Sequence, residues 1–277
     1  MTGGAGFIGS NLCSKLAKNN KNYVVSLDNY STGSLLNHVA GVEYITGDTK
    51  DISKLIDFSP DYIYHLGEYS RVEQSFDDVV KLWESNKNGT FAVLEFCRKT
   101  KAKLIYAGSS TKFSDSGDGR DQSPYSWTKA TNSELVVNYG RWFDIKYAIT
   151  YFHNVYGPGE ISSGKYATLI AIFIEQFKKK QPLTVVSPGT QCRNFTHVDD
   201  IVSGLIIVGN HGQGDNFELG DVNPYSVLDI AELFGSDYVM LPERQGNRMQ
   251  ATINTARSNA LGWHPTRNVA DYIRENT

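Results

Sequence analysis

Thr2-Gly3-Gly4-Ala5-Gly6-Phe7-Ile8-Gly9 (residues 2–9) opens a stretch in which Ile8, Leu12 and Leu16 recur every fourth residue. That spacing predicts a helix with one apolar stripe, entered through a glycine turn. The turn satisfies GxGxxG through Gly4, Gly6 and Gly9, and GxxGxxG through Gly3, Gly6 and Gly9. Glycines there let backbone N–H groups approach a pyrophosphate, and the helix N-terminus adds favourable partial charge. The β-branched run Tyr23–Leu27 follows and ends at Asp28. An acid roughly 20 residues beyond such a turn can bind a ribose 2′-hydroxyl and repel a 2′-phosphate. The pair of features therefore points to NAD rather than NADP.

Four further apolar runs have the same character: Val42–Thr46, Tyr62–Leu66, Leu104–Ala107 and Tyr147–Phe152. Each is short and has polar residues or glycine at its C-terminal end, as buried parallel strands do. Helical patterns lie between them, notably Val79–Phe96 and Tyr125–Phe143. Alternating strands and helices predict an α/β fold, a Rossmann-type doubly wound parallel sheet whose ligands bind beyond the strands' C-terminal ends. The rhythm changes after Tyr156-Gly157-Pro158-Gly159. Residues 1–156 are expected to form the dinucleotide-binding domain. Residues 157–277 are expected to form a smaller substrate-binding lobe, with a segment near 194–222 returning to the sheet. A phosphate-binding turn normally follows a buried strand, yet one residue precedes this one. Either the first strand lies outside this sequence or something else fills its slot.

Bulk properties narrow the function. A chain of 277 residues with 40% hydrophobic and 21% charged residues can build an ordinary globular core. A net charge of −3 supplies no basic field for DNA or RNA. Cys13, Cys97 and Cys192 are odd in number, far apart and in no CxxC pair, which counts against a disulfide framework or a zinc site. Free thiols suit a reducing, cytoplasmic setting. Apolar stretches such as Ile201–Val208 are too short to span a bilayer, and no secretory-leader pattern opens the chain.

Chemistry enters with Tyr125-Ser126-Trp127-Thr128-Lys129, which places Tyr125 and Lys129 one turn apart on a helix face. Such a pair alone is commonly a surface contact. Here it follows the glycine turn and Ser109, at a strand's C-terminal end. A nearby ammonium favours the phenolate and would make Tyr125 a usable general base for a hydroxyl. Ser109 can share the hydroxyl proton or hold the incipient carbonyl.

With these pieces in order, the chain resembles the extended short-chain dehydrogenase/reductases of the NAD-dependent epimerase/dehydratase group, which act on nucleotide sugars. The matching stretches are TGGAGFIGS (2–10), LDN (27–29), GD (47–48), YHLG (64–67), NKNGT (86–90) and GSS (108–110). They continue with YSWTK (125–129), NVYGPGE (154–160), RNFTHVDD (193–200) and LGWHP (261–265). The resemblance implies Tyr125 as base, Lys129 orienting the nicotinamide ribose and Ser109 assisting. Candidate NAD contacts are Gly3, Gly6, Phe7, Ile8, Gly9, Asp28, Asn29, Asp48, Leu66, Gly67 and Lys129. Candidate substrate contacts are Ser110, Asn154, Arg193 and Arg248. No metal is expected. The resemblance also implies a homodimer through the helices Val79–Phe96 and Tyr125–Phe143, and a place in cell-surface polysaccharide synthesis.

The reaction within that group turns on two positions. The 4,6-dehydratases it resembles carry an Asp-Glu pair just after the catalytic Ser or Thr, where this chain has Ser110 and Thr111. Neither hydroxyl readily serves as a general acid near neutral pH. A 4-epimerase of a UDP-sugar needs no second acid–base pair, so epimerisation through a transient 4-keto intermediate is expected. A dehydratase, a keto-sugar reductase or a non-catalytic dinucleotide sensor are the other readings. Three departures from the group's pattern stand out. His153 occupies a position near a lost arginine and is read as structural. Lys112-Phe113-Ser114 replaces a hydrophobic-Tyr-Gly run. Glu68 and Arg71 stand where small residues are usual, able to meet the sugar or each other.

Overall fold

The computed structural model describes residues 1–113, 119–243 and 252–277. Helix α1 (Phe7–Ala17) is followed by strands β1 (Val24–Asp28), β2 (Val42–Thr46), β3 (Tyr62–His65), β4 (Lys103–Ser109) and β5 (Tyr147–Phe152). A last strand, Gly214–Leu219, lies beyond β5. Neighbours in the sheet are β2 with β1, then β3, β4, β5 and the last strand, and every pairing is parallel. Residues 1–3 join the two halves. Thr2 bridges Leu27 on one side and His65 on the other, both in parallel sense. The expected slot is thus filled at its C-terminal end by the residues leading into the glycine turn.

All five β1 residues are buried, as a central parallel strand requires. Side-chain alternation along β4 splits the core between the two faces of the sheet. Leu104 and Tyr106 pack with Val93, Leu94, Val136 and Ile149. Ile105 packs with Leu12, Ile201, Leu205 and Trp263. A third core joins Tyr156, Phe173, Leu183, Val185 and Ile230 beside the sheet. The helix Val198–His211 crosses back over the second face. So does the late segment carrying Trp263, whose indole N–H donates to the Asp200 carbonyl at 2.8 Å. That second return is absent from the sequence reading.

The expected continuous helix Val79–Phe96 is interrupted. Val79–Leu82 is α-helical, Trp83–Asn88 is a π-helical turn, and Gly89–Thr100 resumes the α-helix. The wide turn has a local cause. Buried Asn86 accepts from the Tyr69 N–H at 2.7 Å and donates to the Tyr69 carbonyl at 3.1 Å. Those long-range bonds hold the loop after β3 against the helix and outweigh α-helical register, a pattern common near functional sites.

Candidate active site

The glycine turn and the C-terminal ends of β1, β3, β4 and β5 open on one cleft of about 800 Å³. Its lining includes Gly3, Gly6, Phe7, Ile8, Gly9, Asp28, Asn29, Asp48, Leu66 and Gly67 from the first half of the chain. Ser109, Ser110, Tyr125, Lys129, Asn154 and Arg193 complete it. Every sequence-derived candidate in the described residues therefore meets in one place. Arg248 lies outside the described residues.

The turn is built from close backbone approach. Gly3 has φ +76°, and a Cβ there would lie 2.8 Å from Gly67 backbone atoms. A Cβ on Gly9 would lie 2.0 Å from the Gly3 carbonyl oxygen. Helix α1 starts with Gly6 as N-cap, has no side-chain cap and no acid in its first turn. Its first N–H groups are thus left for an outside acceptor, a fit for a pyrophosphate. Asp28 braces the arrangement. One carboxylate oxygen accepts from the Ala5 N–H at 2.8 Å and the other from the Tyr30 N–H at 2.8 Å. Asn29 donates to Asp48 at 2.7 Å, linking the ends of β1 and β2.

Tyr125 stands in the first turn of the helix Pro124–Phe143. Ser123 caps that helix, its Oγ accepting from the Ser126 N–H at 3.1 Å, and Pro124 pre-sets the first helical dihedral. Lys129, one turn on, is buried against the end of β4. Its ammonium donates to the Ala107 carbonyl and to the Glu68 carboxylate, and lies 4.7 Å from the Tyr106 ring centroid. Ser109 accepts from the Thr111 hydroxyl at 3.0 Å. Asn154, two residues beyond β5, has φ +30° and donates to the Asn194 carbonyl at 3.3 Å. Such a dihedral on a non-glycine residue is a strain characteristic of ligand sites.

The structure excludes one of the two alternatives for Glu68 and Arg71 and agrees with the structural reading of His153. Glu68 pairs with Lys129 and not with Arg71. Arg71 instead donates to the Tyr166 carbonyl. Tyr166 itself comes from a segment the sequence reading left unassigned. His153 is fully buried and pairs with Glu218 at 3.0 Å, in keeping with a structural role.

Glu160 lines the cleft and was passed over in the sequence reading. It accepts from the Thr168 hydroxyl at 2.6 Å and the Gly157 N–H at 2.8 Å. Burial pushes its carboxyl up from the ordinary 4.5 to about 7, against those two hydrogen bonds. Between these values the folded chain keeps a proton that the unfolded chain has released, so Glu160 lowers stability as pH rises through that window. Glu160→Gln is expected to gain on the wild type in thermal unfolding at about pH 8, with little gain at about pH 4. An equal difference at both values would contradict the assignment.

Residues 1–220 match the family described as NAD dependent epimerase/dehydratase. The chain belongs to the NAD-dependent epimerase/dehydratase family. Its fold is that of the UDP-glucose 4-epimerase of Thermus thermophilus, solved in complex with NAD. The likeness has a TM-score of 0.88 and 25% identity, covering 99% of this chain and 95% of that one. A UDP-glucuronic acid 4-epimerase from Bacillus cereus, solved with NAD and a fluorinated UDP-sugar, gives 0.88 and 26%, covering 100% and 98%. UDP-glucuronic acid decarboxylase 3 of Arabidopsis thaliana is 30% identical over 84% of this chain and 72% of its own length. The family frame accounts for the glycine turn, Asp28 and the strand-end cleft. Family membership spans several reactions, so the reaction must be argued from the site.

Proposed function

We propose that this protein is an NAD-dependent 4-epimerase of a UDP-sugar. The observation that carries the reading is the end of β4. Ser109 is followed by Ser110, Thr111, Lys112 and Phe113, with no carboxyl among them, and the Thr111 hydroxyl is turned back onto Ser109. Elimination of water across C5 and C6 needs an acid and a base, and this strand end offers hydroxyls. Several carboxylates elsewhere in the cleft are engaged: Asp28 with backbone N–H groups, Asp48 with Asn29, Glu84 with Lys50 and Asn88, Glu68 with Lys129 and Glu160 with Thr168. Similarity to two solved UDP-sugar 4-epimerases supports the same reading.

When bound, the nicotinamide supplies reversible hydride acceptance. Gly3, Gly6 and Gly9 and the first turn of α1 hold the pyrophosphate, and Asp28 meets the adenosine ribose. Tyr125 takes the proton from the sugar C4 hydroxyl, Ser109 supports the resulting carbonyl oxygen, and Lys129 favours the phenolate. Asn154 and Arg193 hold the diphosphate of the substrate, and Ser110 faces the sugar. Once the keto sugar has turned, return of the same hydride to its other face, together with the proton from Tyr125, would complete the change of configuration. Residues 1–156 form the dinucleotide half in this account, and residues 157–277 the substrate lobe. The reading is tested by proton NMR of the protein incubated with NAD and a panel of UDP-, dTDP-, GDP- and CDP-sugars. A C4 epimer without net NADH supports it, and a 4-keto-6-deoxy product overturns it in favour of dehydration.

We further infer a cytoplasmic homodimer. Trp83 and Trp127 stack at 5.9 Å between ring centroids on the outer face of the two helical segments, and both are substantially exposed. Phe91 and Trp142 on the same segments are more than half exposed. Solvent-facing aromatic residues gathered on neighbouring helices suit an interface with a second copy. Sedimentation of Trp83→Glu at half the wild-type mass is the expected result. An unchanged mass would remove this face from the interface.

A further inference from the structure

Glu68 follows β3 at the floor of the cleft and is almost completely buried, as is Lys129. Both of its carboxylate oxygens are taken. Oε1 accepts from Thr90 at 2.6 Å, Asn132 at 3.0 Å and Tyr106 at 3.2 Å. Oε2 accepts from the Lys129 ammonium. Behind this shell, the His65 ring meets Thr90 at 3.0 Å and Thr2 at 2.7 Å. Lys87 donates to Asn132 at 2.8 Å. The network thus joins β3, β4, the π-helical turn and the helix that carries Tyr125. A carboxylate whose lone pairs are saturated in this way is held as an anion and is not free to exchange protons with a substrate.

We infer that Glu68 is the positioning residue of this site, its carboxylate fixing the Lys129 ammonium one helical turn from Tyr125. The inference rests on the proposed roles of Tyr125 and Lys129. The physical need is plain. Burial of a lone ammonium disfavours its charged form, and an opposite charge in contact restores it. The charged and titratable groups facing the pair are His65 on β3, Tyr106 on β4, Lys87 on the π-helical turn and Tyr125 on the helix of Lys129. Burial holds His65 down at about 4, so it is neutral across the working range. Burial likewise holds the Tyr106 phenol protonated. For Glu68 itself, burial would raise the carboxyl, but Lys129, His65 and the Lys129 and Thr90 hydrogen bonds outweigh that and hold it below its usual value. The anion that Lys129 requires is thereby secured.

The test is competitive acetylation of the intact protein, read by mass spectrometry lysine by lysine, in wild type, Glu68→Gln and Glu68→Asp. Acetylation needs the neutral amine. Glu68→Gln is expected to raise the rate at Lys129 by about tenfold or more. Lys103, which donates to the Gly209 and Gly212 carbonyls away from this network, should be unchanged, and Glu68→Asp should restore part of the protection. The same variant should move the alkaline limb of the kcat/KM profile to lower pH, and Glu68→Asp should move it part of the way back. An unchanged Lys129 rate in Glu68→Gln overturns the inference. So does an equal rise at Lys103, which reports loosened packing alone. Because acetylation needs no substrate, its outcome is separate from failure of the epimerase reading, which shows as absent turnover.

Discussion

Tyr125→Phe is expected to slow turnover by about 10²–10⁴-fold while leaving NAD binding essentially unchanged. Only the hydroxyl is removed. The backbone of the helix is fixed by the Ser123 cap, and Lys129 is fixed by Ala107 and Glu68, so the rest of the cleft keeps its geometry. Neither Ser109 nor Glu68 offers an equivalent base. Ser109 is an acceptor for Thr111, and the Glu68 carboxylate is saturated. Steady-state rates with the substrate identified by NMR, together with calorimetric NAD titration, check both halves. A rate within a few-fold of wild type would remove Tyr125 from the role of base.

The second large effect concerns binding. In Gly9→Ala the new methyl would sit 2.0 Å from the Gly3 carbonyl oxygen and 2.9 Å from the Gly4 Cα, and both are backbone atoms. The turn has to open, at a cost of about 1–3 kcal/mol in stability. Opening also displaces the N–H groups aimed at the pyrophosphate, so NAD affinity is expected to fall by about tenfold or more, the equivalent of roughly 1.4 kcal/mol. Denaturant unfolding and NAD titration on the same preparation read the two effects. Wild-type affinity in this variant would mean that the cofactor does not use the turn.

These two positions were legible from the sequence because the physics that fixes them is local. The glycine spacing reports a turn that only glycine can make, and the separation of Tyr125 from Lys129 is one helical turn. The strands were equally readable: the runs at Val24–Asp28 and Tyr147–Phe152 are buried on both faces, while Val42–Thr46 forms a partly exposed edge strand. What the sequence left open depends on partners far along the chain. Glu68 could have met Arg71, three residues away, yet its partner Lys129 lies 61 residues on. The π-helical turn at Trp83–Asn88 exists because Asn86 bonds the backbone of Tyr69, and no period in the helix itself announces it. Trp263 reads as a late apolar residue in a polar segment, and its burial under the sheet becomes visible only with Leu205 and Phe217 around it. Glu160 stands in the sequence only as the end of the NVYGPGE stretch, and its raised carboxyl follows from burial in the cleft.

The central claim is that C4 of the sugar loses and regains the same hydride while Tyr125 handles the hydroxyl proton. A UDP-sugar carrying deuterium at C4, turned over in ordinary water and followed by NMR, tests it most directly. Retention of deuterium at C4 in both epimers, with no net NADH, is the result predicted. Exchange of that deuterium for solvent hydrogen would place the chemistry outside hydride return and contradict the account.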